Sequence, residues 1–403
     1  MKKIDYEILF KDNGIFLPDF VSKWKMPRYI ILADGDNELL VDFDNIISVE
    51  VFIDVIKHRD AIVIKEFLFD TSGKITNEKG EFYINQCIAP LIKTTNVYQT
   101  NSALLNFNKK TVPQNFPPGS EWIYYKLYCG EKSADKILQE FIQPLVISLL
   151  KNKKIDKWFF IRYSDPDFHL RIRFHLVNKD DIGYVINTFS QAMNSGATGN
   201  LIWKTQIDTY TRELDRYTPE AMELAETLFF KDSMQTLSFL NLTQGDEREH
   251  ARGLWGIKST DHLLNSFDFT VEEKYQIAKA NATAFAKEFN ADKLLFQQFN
   301  KKYALARMDI KNIINNSFDE KSQWVPLMNL CSNNANDFKS IAQAIIGVNR
   351  NNYHPNLQNL ISSYIHMSVN RLFISEARFH EMIIYDFLCK YYYTEIKIQA
   401  NNK

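Results

Sequence analysis

The amino-acid sequence predicts an α+β protein. We expect a ferredoxin-like βαββαβ antiparallel sheet, elaborated by a largely helical C-terminal half and preceded by a small α+β N-terminal piece. Three observations predict this fold. Hydrophobic residues make up 45% of the 403 residues and charged residues 24%, which is an ordinary globular composition. Between residues 121 and 211, stretches that alternate apolar and polar residues are separated by stretches with helical spacing, and after residue 218 helical periodicity dominates.

The N-terminal piece begins with a predicted β-hairpin. Residues 28–32 and 39–43 have strand patterns and flank Asp34-Gly35-Asp36-Asn37, a sequence typical of tight turns. Asp44 or Asn45 can cap a following short helix that runs to about residue 58.

A linker is predicted over residues 94–118, which are rich in Asn, Thr and Gln and contain three prolines. It divides the chain into a small α+β region, residues 1–110, and a larger domain, residues 118–403.

The larger domain supplies the sheet elements in the order strand, helix, strand, strand, helix, strand. The predicted strands are residues 121–129, 157–163, 168–176 and 201–211, and the predicted helices are 133–150, capped by Ser133, and 179–194. This order is the split arrangement of a ferredoxin-like sheet. Thr218-Pro219 forms an N-cap and N1 pair for the helical remainder, where the periodic stretches are 262–290, 292–316, 336–347 and 355–394.

Charge and cysteine content exclude several function classes. The 48 basic and 49 acidic residues give a net charge of −1, so no basic surplus exists to neutralise phosphates and we expect no direct nucleic-acid binding. The four cysteines form no CxxC pair, which favours a reduced, cytoplasmic protein without a disulfide framework. We find no metal, nucleotide or dinucleotide signature and therefore expect no cofactor.

The clearest candidate for a binding surface is the predicted strand of residues 168–176. Because strand side chains alternate between faces, one face carries His169, Arg171, Arg173 and His175, and the other is apolar. A solvated face of an antiparallel sheet would give the same pattern. Two guanidinium groups two residues apart on a strand would also converge on one anionic ligand.

Two further segments carry polar residues of interest. Tyr210-Thr211-Arg212-Glu213-Leu214-Asp215-Arg216-Tyr217 follows the last predicted strand, and Glu213 could orient Arg216 three residues later. In the C-terminal helical half, His366 and Asn370 are four residues apart and share a helix face. A solvated loop and a structural histidine are the alternative interpretations.

These segments, in this order, resemble the C-terminal domain of lantibiotic dehydratases and their thiopeptide relatives. The matching stretches are residues 118–130, Trp158–Pro166, His169–Phe174, Tyr210–Tyr217 and His366–Leu372, so the resemblance spans about residues 118–403. Residues 1–110 resemble the tail of that family's glutamylating domain.

The resemblance implies a reaction and a site. In the family, a Ser or Thr of a precursor peptide is first esterified with glutamate from glutamyl-tRNA, and the C-terminal domain then removes the glutamate by β-elimination. The elimination residues correspond here to Arg171, Arg173, Glu213, Arg216 and His366, and we expect them to converge around one acyl ester. Within the same segments we expect His169, Tyr210, Asn370 and Arg371 to bind substrate.

Each of these residue types suits the chemistry. A guanidinium stays charged at any working pH and can stabilise anionic oxygens, so Arg171, Arg173 and Arg216 would divide that task. Glu213 would orient Arg216 rather than act as a base. An imidazole ordinarily titrates near neutrality, which makes His366 the best general base or proton shuttle.

Most of the glutamylating domain is absent from this sequence. A split, elimination-only enzyme would require a separate, tRNA-dependent glutamylating partner protein, and Met1 and the modest length favour this over a piece of a longer protein. A homodimer is a further expectation from the family. The alternatives are a thiopeptide-type pyridine synthase, which joins dehydroalanines by cycloaddition, and a non-catalytic subunit that docks the precursor peptide.

Overall fold

The computed structural model describes residues 17–34, 37–57, 59, 61–67, 78, 112–245, 247–350 and 357–401. The chain divides into two compact units, Met1–Leu105 and Asn106–Lys403. None of the described helices combines the length and the apolar character that crossing a membrane requires.

The first unit is a small α+β structure with its own apolar core. Its elements are α1 (Leu17–Trp24), β1 (Tyr29–Asp34), β2 (Asn37–Asp42), α2 (Ile46–Ile56) and β3 (Val63–Glu66). The sheet has the order β2-β1-β3 and is antiparallel. The predicted strands are therefore confirmed, with Asp34 paired with Asn37, while Gly35 and Asp36 lie outside the described residues. Asn45, one of the two predicted caps, is the N-cap of α2. Its side chain accepts hydrogen bonds from the backbone N–H groups of Ile47 and Ser48.

The second unit contains a sheet followed by a long helical region. Its strands are β4 (Asn115–Phe116), β5 (Trp122–Cys129), β6 (Ile155–Ser164), β7 (Phe168–Leu176), β8 (Ile202–Asp208) and β9 (Tyr210–Thr211). Its α-helices are α3 (Ala134–Ile137), α4 (Gln143–Lys151), α5 (Ile182–Ser195), α6 (Leu214–Tyr217), α7 (Met222–Leu242), α8 (Glu247–Ser266), α9 (Val271–Glu288), α10 (Lys293–Asn315), α11 (Val325–Arg350), α12 (Leu357–Leu372) and α13 (Ala377–Asn401).

The main sheet has the strand order β6-β7-β5-β8, and all neighbouring strands are antiparallel. The helices α3 and α4 lie between β5 and β6 in the sequence, and α5 lies between β7 and β8. The predicted combination of an antiparallel sheet with a largely helical C-terminal half is therefore confirmed.

The alternation in β7 explains how the sheet is held in place. Leu170, Ile172 and Phe174 are completely buried in the large core of the second unit, because that face of the strand is continuously apolar. The opposite face of β7 is left for His169, Arg171 and Arg173. Burial of the apolar face thus fixes the direction in which the polar residues point.

The helix predicted over residues 133–150 is interrupted. Ser133 ends a short 3₁₀ turn and occupies the predicted N-cap position of α3, but its side chain makes no capping hydrogen bond. A π-helical segment, Leu138–Ile142, precedes Pro144, and the N–H of Gln143 bonds the carbonyl of Leu138. Because proline lacks an N–H and clashes with the carbonyl four residues earlier, a wider turn before it relieves the clash.

The predicted last strand and the end of the predicted linker also differ from the structure. The strand of residues 201–211 divides into β8 and β9, and β9 pairs with β4 rather than with the main sheet. The short strand β4 lies inside the predicted linker, and Phe116 is buried against the ring of Tyr210. Stacking of these aromatic rings orders a segment whose Pro and Asn content resembles a linker.

The helical boundaries were predicted less well. The hydroxyl of Thr218 accepts from the N–H of Ala221, but residues 219–221 form a turn and α7 begins only at Met222. The predicted helix 262–290 is two helices, because Thr270 and Glu273 form a capping box that starts α9. The predicted helix 355–394 is likewise divided between α12 and α13.

Candidate functional site

Arg171 lies on the polar face of β7 and is held by two neighbours. Its Nε donates to Nε2 of His169 at 3.1 Å, and its guanidinium carbon lies 3.4 Å from the ring centre of Tyr163 on β6. Tyr163 is the register partner of His169, so the pairing of β6 with β7 places this ring beside the arginine. Among the residues that the structure describes, no carboxylate forms an ion pair with Arg171.

His169 positions Arg171 instead of facing open solvent. Its ring is fully buried, and Nδ1 lies 2.8 Å from the carbonyl oxygen of Asp167. Burial lowers the pKa of His169 below its ordinary value, and the charge of Arg171 acts in the same direction. The neutral ring therefore donates from Nδ1 and accepts at Nε2, which is the arrangement that the guanidinium of Arg171 requires.

Arg173 is a buried cation enclosed by aromatic rings. Its guanidinium carbon lies 4.5 Å from the ring centre of Tyr124, 4.9 Å from that of Tyr210 and 5.1 Å from that of Phe159. Only 8% of the residue is exposed, and its Nε has no hydrogen-bond partner among the described residues. Nor does any described carboxylate pair with it. Burial lowers the pKa of Arg173, but an arginine remains charged. This buried cation has no ion-pair partner among the described residues, although Glu213 lines the same small cavity and its charge acts to raise the pKa of Arg173.

Glu213 and Arg216 form the expected pair. Oε2 of Glu213 lies 3.1 Å from Nη1 of Arg216, and both side chains are about half exposed. Glu213 follows β9 directly, and α6 carries Arg216, so the short helix sets the spacing of the pair. Such an exposed ion pair contributes little stability, which leaves both groups free to exchange partners.

Tyr210 was expected to bind substrate, but the protein already occupies its hydroxyl group. The hydroxyl donates to Oε1 of Glu226 at 2.9 Å, and Glu226 is fully buried on α7. Arg212 forms a two-bond ion pair with the same carboxylate, at 2.7 Å for each bond. Tyr210 therefore contributes its ring to the enclosure of Arg173, while Arg212 and Glu226 attach β9 to α7.

His366 lies on α12 and forms a dyad with Glu381 on α13. Nδ1 of the imidazole lies 2.8 Å from Oε2 of Glu381. The histidine is partly exposed, whereas only 3% of Glu381 is exposed. A buried carboxylate thus holds one nitrogen of a ring whose other nitrogen is available for chemistry.

Asn370 and Arg371 both make contacts with β6, and Nη2 of Arg371 is buried without a hydrogen-bond partner among the described residues. The side-chain amide of Asn370 accepts from the backbone N–H of Arg162 and donates to the carbonyl of the same residue, which continues the sheet edge of β6. Arg371 is buried, pairs with Asp232 at 2.9 Å and donates to the carbonyl of Phe160. Both residues thus join α12 to β6, and Asn370 also lines the cavity beside His366, so substrate binding by these two residues stays a prediction.

The predicted residues line two cavities instead of one. Arg173 and Glu213 line a small cavity of about 30 Å³, whereas His366 lines a larger one of about 620 Å³. Strand β6 and helix α12 contribute to both, since Ile161 and Met367 line the small cavity and Tyr163 and His366 the large one. Arg171 lines neither of these two cavities, but it stacks on Tyr163, which lines the larger one. The expectation of a single cavity around all these groups is not met in this structure.

A third cavity, of about 560 Å³, lies elsewhere. It is formed where α5 gives way to β8 and is lined by Asn194, Trp203 and Lys204, among others. None of the predicted site residues lines it, so the chemistry of the chain points to the two cavities beside β6.

Sequence patterns could not identify Glu381 or Glu226. Each is one of many acidic residues in a helix, and its partner lies on another element, His366 for the first and Arg212 for the second. Arg212 did carry a signal, since it lies within the segment Tyr210–Tyr217 that was singled out. Its role in an ion pair depends on tertiary packing against α7.

Comparison with known proteins gives a consistent result. The family described as "Lantibiotic biosynthesis dehydratase C-term" matches residues 122–392. The subtilin biosynthesis protein SpaB of Bacillus subtilis is 23% identical over 288 residues, which cover 69% of this chain and 27% of SpaB. The epidermin biosynthesis protein EpiB of Staphylococcus epidermidis is 22% identical over 375 residues, covering 92% of this chain and 35% of EpiB. The chain thus spans about a third or less of these relatives.

One solved structure has a similar fold along nearly the whole chain. It is the tRNA dependent lantibiotic dehydratase MibB from Microbispora sp. 107891, with a TM-score of 0.56 and 17% identity. The similarity covers 98% of this chain and 39% of MibB. At this level of identity the comparison concerns the fold alone.

Proposed function

The chain belongs to the family of lantibiotic biosynthesis dehydratase C-terminal domains, and from that premise we propose that it eliminates glutamate from O-glutamylated Ser and Thr residues of a precursor peptide. The products are dehydroalanine from Ser and dehydrobutyrine from Thr. The family membership confirms the resemblance that the sequence motifs carry, and the role in lantibiotic or thiopeptide biosynthesis follows from it.

The observation that carries the proposal is the unpaired charge of Arg173. A buried cation costs free energy unless an anion or hydrogen-bond acceptors compensate it. The described residues supply Arg173 with aromatic rings and with no ion-pair partner, because the nearby carboxylate of Glu213 pairs with Arg216. A substrate that brings its own anion would complete the site, and a glutamyl ester both carries a carboxylate and releases one.

The elimination needs a base, a stabilised carbanion and a leaving group. In the proposed reaction His366 takes the proton from Cα of the esterified residue. The electron pair of that C–H bond forms the Cα–Cβ double bond, and the Cβ–O bond breaks so that glutamate leaves as a carboxylate. Negative charge develops first on the adjacent amide oxygen and then on the leaving group, and guanidinium groups stabilise both.

The sizes of the two cavities support an arrangement of these groups. The large cavity beside His366 has room for a peptide segment, whereas the small cavity at Arg173 accommodates little more than a few atoms. We place the peptide in the large cavity and an anionic oxygen at Arg173, with Arg171 between them. The exposed Glu213–Arg216 pair would exchange partners when the ester binds, so that Arg216 joins the second anionic group.

Several accompanying features belong to the same proposal. The strand order of the main sheet supports a ferredoxin-like unit, and the division near residue 105 supports an N-terminal region distinct from the elimination domain. We propose that a tRNA-dependent glutamylating protein supplies the esterified peptide, as the resemblance to the family implies. A homodimer remains an expectation from the family.

Incubating the chain with a synthetic peptide that carries one O-glutamylated serine tests the proposal. We expect the peptide to lose the mass of glutamic acid and free glutamate to appear in equal amount. The same serine peptide without the ester is the control and should remain unchanged.

Two other outcomes would contradict the proposal. Binding of the peptide without any change in mass would identify a docking subunit. Conversion of a dehydrated peptide to a macrocycle, with no action on the glutamylated one, would identify a pyridine synthase.

A further inference from the structure

A buried carboxylate without a cationic partner lies next to the proposed base. Glu381 is 3% exposed, and among the described residues neither a lysine nor an arginine forms an ion pair with it. Other buried acidic residues of this chain do have such partners, since Asp135 pairs with Arg162 and Glu226 pairs with Arg212. Ion pairing with an arginine therefore does not explain the burial of Glu381.

The partner of Glu381 is the imidazole of His366. An ionised carboxylate can only accept hydrogen bonds, so the 2.8 Å contact places a proton on Nδ1 of His366. The neutral ring then carries its lone pair on Nε2. Because Nδ1 is engaged by a buried group while the histidine lines the large cavity, Nε2 is the nitrogen available to a substrate.

The other charged groups of this cavity do not compete for the ring. They are Glu131, Arg162, Glu288, Glu376 and Arg378. Arg378 makes a two-bond ion pair with Glu288, which lowers the pKa of that carboxyl, and Arg162 pairs with Asp135. In the part of the chain that the structure describes, the bond to Glu381 is the hydrogen bond made by the His366 ring.

We infer that Glu381 is a positioning residue for the elimination: it fixes His366 as the Nδ1–H tautomer, directs Nε2 to the Cα proton, and stabilises the imidazolium once the proton has moved. The catalytic part of this inference rests on the proposed function, but the tautomer can be measured without any reaction. Glu381 touches His366 and not the substrate, so its effect passes entirely through the ring.

The decisive substitution is Glu381→Gln, which keeps the size and removes the charge. The glutamine amide can donate to Nδ1 and so favours the tautomer with its proton on Nε2, which cannot accept a proton from the substrate. We expect kcat for glutamate release to fall by on the order of 10²-fold with little change in KM. Glu381→Asp keeps a carboxylate and should recover part of the loss, whereas a merely structural role would make Asp no better than Gln.

The tautomer is read directly from the ¹⁵N shifts of histidine-labelled protein, with His366→Gln identifying the signal. In the wild type we expect the proton on Nδ1, and in Glu381→Gln a shift toward the Nε2–H form. Glu395→Gln, on the same helix, is the matched control and should change neither the spectrum nor kcat. Thermal unfolding checks that each variant is folded.

The two possible failures can be told apart. If the wild type releases no glutamate, the proposed function is lost, but the ¹⁵N spectra still decide the role of Glu381. An unchanged tautomer in Glu381→Gln, or a kcat within about threefold of the wild type in an assay where the wild type is active, would overturn the inference.

Discussion

Two groups of arginines in the second unit differ in how their charge is compensated. Arg162, Arg212, Arg252 and Arg371 are all buried, and each forms an ion pair with a buried carboxylate. Arg171 and Arg173, on one strand of the sheet, pair with no carboxylate of the described residues and lie against aromatic rings instead.

The difference separates residues that hold the fold from residues prepared for a ligand. Asp135 forms ion pairs with both Arg162 and Arg252. Burial alone would raise the pKa of its carboxyl, but the two guanidinium groups outweigh the effect of burial and lower that pKa. These ion pairs connect α3, β6 and α8. On the polar face of the sheet, His175 contacts Asp156 and Lys126 pairs with Asp208, whereas Arg171 and Arg173 form no ion pair with a described carboxylate. These two arginines therefore retain positive charge for the proposed substrate.

The largest expected effect is on stability, through Arg371→Met. This substitution leaves Asp232 buried without its cation, although Ser368 still donates to it at 2.7 Å. Breaking a buried pair in this way typically costs about 3–5 kcal/mol. Urea unfolding of the wild type and the variant measures the change in free energy of unfolding.

The double variant Arg371→Met, Asp232→Leu is the control for that prediction. Because it removes both charges, we expect it to recover most of the lost stability. If the single variant is as stable as the wild type, the paired arginines do not hold the fold and the contrast between the two groups disappears.

A smaller effect is expected from His169→Leu, which removes the acceptor for Arg171. A hydrogen bond to a charged group contributes about 1.5 kcal/mol, so the elimination rate should fall about tenfold. The substitution should also change how the free energy of unfolding depends on pH. The pKa of His169 is lowered in the folded protein, so the unfolded chain binds the proton more readily.

The sign of that pH effect follows from the shift. The contribution of His169 is fully present above pH 6.5, its ordinary pKa, and is lost as the pH falls toward the lower folded value. Between pH 7.5 and pH 5.5, the variant should therefore lose less stability than the wild type. Equal losses in urea unfolding at the two pH values would show that His169 is not held neutral.

The sequence predicted the strand carrying Arg171 and Arg173, because period-two alternation needs only local information. It also singled out Glu213, Arg216 and His366 as candidates, through motifs of the family. It could not distinguish the environments of His366 and Arg371, since both lie on the same short stretch of helix. Only the packing of α12 against β6 shows that one side chain faces a cavity and the other faces Asp232.

The sequence could not predict the role of residues whose partner lies far away in the chain. Glu381 was not a candidate, because only the packing of α13 beside α12 brings its carboxylate to His366. The start of α7 was placed too early. Thr218 and Pro219 have the residue types of a helix start, and Thr218 accepts from the N–H of Ala221, but residues 219–221 form a turn before the helix begins at Met222.

The rate of glutamate release by Arg173→Gln, measured beside the wild type on an O-glutamylated serine peptide, tests the central claim most directly. If the unpaired guanidinium exists for the substrate, the rate should fall by about 10²–10³, the usual cost of one donor to a developing anion. The unfolding midpoint should stay the same or rise, because the substitution removes an unpaired buried charge. An unchanged rate, or a fall in rate that is matched by loss of the folded protein, would show that Arg173 serves the fold and would contradict the account.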